Sequence, residues 1–117
     1  MNIRRGDIVY VDLDPVEGSE QAGKRPALVI QNDAGNQAAS TTIIAPLTGS
    51  YDPQNVAPYE AELTAANTDV QQDSAVLLNQ IRVVSVPDRV ITKFGHVPQG
   101  TAEMAAVNRA IKVSLSL

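Results

Sequence analysis

A small, partly open β-barrel followed by one C-terminal helix is the fold this sequence predicts. Three observations lead there. Short β-branched and aliphatic runs follow one another through most of the chain, each bounded by Gly, Pro, Asn or Asp. Only the last stretch carries a helical apolar stripe. The length of 117 residues, 44% of them apolar, suits one packed domain over residues 1–117.

The first strand is Ile8-Val9-Tyr10-Val11-Asp12-Leu13, set between Gly6-Asp7 and Asp14-Pro15. Residues 14–24, DPVEGSEQAGK, mix glycines, a proline and charges, and they predict an exposed loop. Such a loop is long for a hairpin, and long ordered loops are often functional. Arg25-Pro26-Ala27-Leu28-Val29-Ile30 is the second strand, its proline near the start where a missing donor is tolerated. Asn32-Asp33 and Gly35-Asn36 break the chain.

Thr41–Thr48 makes a third strand, with Pro46 marking an edge or bulge, and residues 49–57 form a second polar loop. Further strands are expected at about 58–63, 74–79 and 80–86, and Thr92–His96 reads as a short strand or turn. From Thr101, the residues Met104, Val107, Ile111 and Leu115 recur at helical spacing. Gly100 and Thr101 are N-cap candidates, Glu103 suits the first turn and Lys112 the last.

Composition excludes several function classes. There is no cysteine, so disulfides, thiolate ligands and a thiol nucleophile are out. With a lone His96 besides, no protein-built zinc site is expected, nor any metal among the site residues, nor a cofactor. No apolar run is long enough to span a membrane, and the first residues lack a secretion signal's apolar stretch; a cytoplasmic protein without a membrane partner is the expectation.

A net charge of −4 argues against a polyanionic partner when taken alone. The signs are segregated, however. Residues 52–81 carry five acids and no Lys or Arg, whereas residues 82–117 carry five bases against two acids. Arg4-Arg5 and Lys24-Arg25 add basic clusters. A basic groove on an acidic protein is therefore expected, with modest and salt-sensitive nucleic-acid affinity.

Two segments carry chemistry: Gly18–Pro26 and Ala45–Thr48. The first brings a carboxylate, an amide and a guanidinium to the mouth of a strand. Arg25 is a natural phosphate partner, because its planar fork donates two parallel hydrogen bonds. If the second and third strands pair side by side, the Thr48 hydroxyl comes near it. Read singly, each of these residues also has a plainer meaning: Arg25-Pro26 as surface charge and turn, Thr48-Gly49 as a turn, Glu20-Gln21 as solvated loop. His96, in a Gly-His-Val-Pro setting, reads as structural, and one histidine cannot serve as acid and base in two places.

Arg5-Gly6-Asp7 before the first strand, the block GSEQAGKRPALVIQND at 18–33, Thr48 closing the third strand and Asp73-Ser74-x-Val76-Leu77-Leu78-x-Gln80-Ile81-Arg82 together resemble the MazF/PemK toxin family over nearly the whole chain. The resemblance implies a mainly β fold, an SH3-like and partly open β-barrel with a C-terminal α-helix. It implies a homodimer that cleaves single-stranded RNA at a short sequence, leaves 2′,3′-cyclic phosphate and 5′-hydroxyl ends, and is neutralised by a cognate antitoxin.

By motif position the resemblance puts the catalytic pair on Arg25 and Thr48 and an acidic loop residue on Glu20. Ser19, Gln21, Asn32, Gln80 and Arg82 are the expected RNA-contacting residues. Gln80 and Arg82 also read as a buried hydrogen-bonding group and a salt-bridge partner. On chemical grounds Arg25 suits phosphorane stabilisation, Thr48 a phosphate hydrogen bond, and Glu20 the general base, since a closed groove would desolvate its carboxylate. Two rival readings keep the barrel: a gyrase poison of the CcdB type, and a non-catalytic SH3-like RNA- or protein-binding module. The latter usually reads RNA with stacked aromatics, of which this chain has only Tyr10, Tyr51, Tyr59 and Phe94.

Overall fold

The computed structural model describes residues 1–117. Seven strands and three helices follow one another: β1 (Asp7–Asp12), β2 (Lys24–Val29), α1 (Asp33–Ala38), β3 (Thr41–Thr48), β4 (Glu60–Leu63), β5 (Ser74–Leu77), β6 (Arg82–Ser85), α2 (Val86–Arg89), β7 (Val90–His96) and α3 (Ala102–Leu115). All strand pairings are antiparallel, in the order β4-β5-β3-β2-β1-β7 with β6 also on β3. The expected mainly β architecture, with a sheet that does not close and a C-terminal helix, is what the chain adopts.

β3 organises this arrangement. On one edge its residues Ile44, Ala45 and Pro46 pair with β2. On the other, its first half pairs with β6 and its last residues, Leu47 and Thr48, pair with β5. One strand thus serves two partners on the same edge, and the sheet curls about it. The gap between β6 and the end of β1 is bridged by side chains instead of a strand ladder. Arg82 Nη1 donates to the Leu13 carbonyl at 3.0 Å, and Arg89 donates to that of Asp14.

The apolar side chains fall into two cores, one on each face of the central strands. Ile8, Leu28, Ala45 and Leu47 pack with Val76, Leu78, Met104 and Val107 beneath α3. Val9, Val11, Leu13, Ala27, Val29 and Ile44 pack with Val84 and Val90 inside the curl. Burial on both faces explains why these strands read as nearly continuous aliphatic runs. Alternation fails as a signal wherever neither face meets water.

α3 starts where its cap residue dictates: Thr101 Oγ1 accepts from Met104 N at 3.2 Å. Its buried face is Met104, Val107 and Ala110, so the expected stripe holds for its first half and is completed by an alanine. Leu115 is exposed, because the helix has run past the sheet by then.

The two shorter helices were not legible as helices. Asn32, read as a chain break, is the N-cap of α1, its Oδ1 accepting from Gly35 N at 2.7 Å. α2 is a single turn carrying Pro87 at its start, where the missing N–H costs nothing.

The Arg5-Gly6-Asp7 segment is a structural clasp. The Arg5 side chain donates to Ile30 O (2.9 Å), Gln99 Oε1 (2.9 Å) and Asn108 Oδ1 (2.8 Å), and its backbone N–H donates to Asp33 Oδ1 (2.6 Å). It ties β2, α1 and α3 together and so does not contribute to a basic groove. Gly6 holds φ +94°, and a Cβ there would run into the Val97 carbonyl. Asp7 is buried and receives Arg4 N (2.8 Å) and His96 Nδ1 (2.8 Å), with Lys93 Nζ at 3.6 Å. His96 is structural, as its sequence context suggested.

Candidate functional site

The β2–β3 register decides the geometry. Val29 pairs with Ile44, Leu28 with Ala45 and Ala27 with Pro46. Continued two residues further, the same ladder sets Arg25 against Thr48. Period-two alternation puts Arg25 on the face of Ala27, and Thr48 on the face of Pro46, which is the same face. The Arg25 side chain reaches the carbonyl of Leu47, the neighbour of Thr48 in sequence.

Arg25 is half-buried and held by two bonds: Nε donates to Ala22 O at 3.0 Å, and Nη1 donates to Leu47 O at 3.3 Å. Two of the guanidinium's five N–H groups are used, which leaves three free to donate. Thr48 is half-buried, and its Oγ1 accepts from Ser50 N at 3.1 Å, so its own O–H remains available as a donor. A rigidly aimed cation beside a hydroxyl is an arrangement suited to a phosphate.

A groove of about 240 Å³ runs along the same face beside Pro46. Glu20, Gln21, Gln80 and Arg82 line it, together with Asn79 and Leu13. Gln21 N donates to Gln80 Oε1 at 3.4 Å, a contact between the 14–24 loop and the β5–β6 connection. Glu20 is exposed, and its Oε1 accepts from Glu17 N at 2.5 Å. The closed groove that would desolvate it is not formed by a single chain. Arg82 spends one N–H on the Leu13 carbonyl, so it is both a brace for the barrel opening and a wall of the groove.

Two expected contact residues stand apart. Ser19 is exposed on the loop and does not line the groove. Asn32 lies beyond the far end of β2, and its side-chain oxygen is committed to capping α1. The structure does not bring Asn32 to Arg25 and Thr48: β2 runs away from the site between them. Asn79, Pro46 and the loop brace Arg89 were missed, although Asn79 sits next to Gln80 in a segment already singled out. Among His, Asp and Glu side chains no group of three or more could hold a metal ion. No helix is long and apolar enough to cross a membrane.

The likenesses to known proteins are of one kind. The chain is 39% identical to the endoribonuclease EndoA of Bacillus subtilis over 117 residues, covering all of this chain and 97% of that one. Its fold matches a MazF crystal structure from Deinococcus radiodurans with a TM-score of 0.80, at 23% identity, over 100% of this chain and 99% of that one. It matches as well an endoribonuclease in complex with its cognate antitoxin from a Mycobacterial species, with a TM-score of 0.78 at 20% identity, over 98% and 96% of the two chains. The profile of the PemK-like, MazF-like toxins of type II toxin-antitoxin systems covers residues 4–115. That span takes in β1 to α3, including the Arg25 and Thr48 strands and the groove beside them, and the chain belongs to this toxin family.

Proposed function

We propose that the chain is a toxin endoribonuclease that cleaves single-stranded RNA at a short sequence, with Arg25, Thr48 and Glu20 as its catalytic residues. The observation that carries this reading is the Arg25 guanidinium donating to Leu47 O, the residue before Thr48, across the β2–β3 ends. Three free guanidinium N–H groups and a hydroxyl donor converge there beside a groove lined by Glu20, Gln21, Gln80 and Arg82. The relative named an endoribonuclease supports it over its full length.

The chemistry these residues support is attack by the RNA's own 2′-hydroxyl on the adjacent phosphorus. The 2′-oxygen forms the new P–O bond as the P–O5′ bond breaks, giving a 2′,3′-cyclic phosphate and a 5′-hydroxyl. Glu20 takes the 2′-hydroxyl proton once RNA covers it. Arg25 meets the charge on the phosphorane with its free N–H groups, and Thr48 donates to a phosphate oxygen. Water or a reprotonated group returns a proton to the 5′-oxygen. Nothing in this sequence of steps needs a metal.

The active form is a homodimer, since one small barrel offers only a short RNA-binding surface and a two-fold partner extends it. A cognate antitoxin silences it by covering the groove, in keeping with the antitoxin complex of the Mycobacterial neighbour. The test is incubation of the purified chain with a long unstructured RNA in excess EDTA, followed by mapping of the new ends. Undiminished cutting with 5′-hydroxyl ends is expected. Loss of cutting in EDTA, or 5′-phosphate ends, would overturn the mechanism.

A further inference from the structure

A cleft of about 710 Å³ lies on the opposite face of the sheet from Arg25 and Thr48. Tyr10, Pro26, Leu47 and Phe94 form its floor, and Gln71 and Gln72 form part of its wall. No charged side chain lines it. Two of the chain's four aromatics are gathered here, each 36% exposed, where bulky rings are ordinarily covered.

Phe94 follows Thr92, the partner of Tyr10, by two residues on β7 and so shares the face of Tyr10. Ile8 pairs with Gly95 and Val9 with Lys93, so β7 carries Phe94 as an extra residue against β1. Bulges of this kind re-aim a side chain and are common beside functional sites. This one falls beside Phe94, at the rim of the cleft that Tyr10, Thr92 and Phe94 line together. Ile91, the residue bulged out between Val90 and Thr92, is also exposed but does not line the cleft.

The cleft adjoins the candidate active site. Leu47 and Gly49, which flank Thr48, both line it. A Cβ on Gly49 would fall 2.6 Å from Gln72 Nε2, so the flexible Gln72 amide lies close over the end of β3.

We propose that this cleft is a base-binding subsite for an unpaired nucleotide of the RNA, adjacent to the nucleotide whose phosphate meets Arg25 and Thr48. The proposal rests on the nuclease reading given above. A neutral lining offers no attraction to a phosphate or a charged side chain. Exposed rings offer π-faces on which a base stacks. Two glutamine amides, each with donors and an acceptor, can read the edge of that base. The scarcity of aromatics in the sequence is thus no obstacle, because the fold concentrates half of them at one spot.

The chain has no tryptophan, so Tyr10→Trp makes a unique fluorescent reporter of the cleft. Titrating this variant with short unstructured oligoribonucleotides is expected to quench the tryptophan saturably, with different strengths for the four bases. In parallel, Phe94→Ala is expected to raise KM for cleavage on the order of tenfold, with kcat much less affected. Gln72→Leu should change the base preferred at one position next to the cut. Quenching without cleavage would uphold the subsite while overturning the nuclease reading. Cleavage without quenching, with KM and base preference unchanged in Phe94→Ala and Gln72→Leu, would overturn the subsite alone. Tryptophan fluorescence that shifts with protein concentration and ignores RNA would show a second copy of the chain covering the cleft, and would overturn it too. Both rings are 36% exposed and otherwise covered, so the assays are run below the melting temperature that thermal melts give for each variant.

Discussion

The guanidinium of Arg25 reaches across the end of β2 to the carbonyl of Leu47, at 3.3 Å, and so stands against Thr48 with three N–H groups still free. Arg25→Ala is expected to lower the cleavage rate by about 10²–10³ or more while the fold persists, because a preorganised charge at the phosphorane is lost. Arg25→Lys should remain poor, since a point charge does not reproduce the two-pronged contact. Cleavage kinetics beside circular dichroism check this, and full activity in the lysine variant would show that charge alone suffices.

Glu20 hangs on an exposed loop whose hydrogen bonds to the body include those from Gln21 N to Gln80 Oε1 and from Leu13 N to Gly23 O. Glu20→Gln is expected to reduce kcat by roughly 10²–10⁴, the usual contribution of a general base. KM should change little. A variant that keeps the parent kcat would assign the base elsewhere.

Arg5 spends its side chain on Ile30, Gln99 and Asn108. Arg5→Ala is expected to cost on the order of 2 kcal/mol of stability, through several lost hydrogen bonds and stranded acceptors. Below the lowered melting temperature, KM for RNA should be that of the parent. A raised KM with unchanged stability would return Arg5 to the RNA-binding surface.

Tyr51 Oη donates to Glu62 Oε2 at 2.6 Å. Its pKa is pushed from 10.0 up to about 12, first by burial, then by that hydrogen bond and by the charges of Glu62 and Asp73. The neutral phenol is the form the fold favours. Its contribution to stability is therefore fully present below pH 10 and is lost as pH rises toward 12. Between those values the parent protein should lose stability more steeply than Tyr51→Phe in denaturant melts. Identical slopes would remove Tyr51 from the alkaline transition.

Much of the architecture was written in local pattern. Aliphatic runs bounded by Gly, Pro, Asn and Asp marked β1, β2 and β3 to within a residue or so of their observed ends. A capping threonine before a Met104–Val107 spacing marked the start of α3, because an N-cap and a helical period are properties of adjacent residues. The family blocks, spread over the chain, pointed to the barrel and to Arg25 and Thr48. Short helices escaped notice: a six-residue turn such as α1 holds too few residues to show a period and is held by contacts from outside, here Arg5 N on Asp33.

What only the tertiary structure decided is which residues share a place. Arg25 and Thr48 are far apart in sequence and meet through the register of β2 on β3. Asn32 belongs to the same sequence block as Arg25, yet it leaves the site because a strand carries it to the other end of the sheet. Arg5 looked like a groove cation and is consumed by acceptors on three distant elements. Tyr10 and Phe94 come together because β1 pairs with β7 in a register that sets Tyr10 against Thr92, two residues before Phe94 on the same face. Periodicity and capping are local energies that a sequence displays directly; pairing register, bulges and the satisfaction of buried polar groups are non-local, set by whichever distant partner the chain brings alongside.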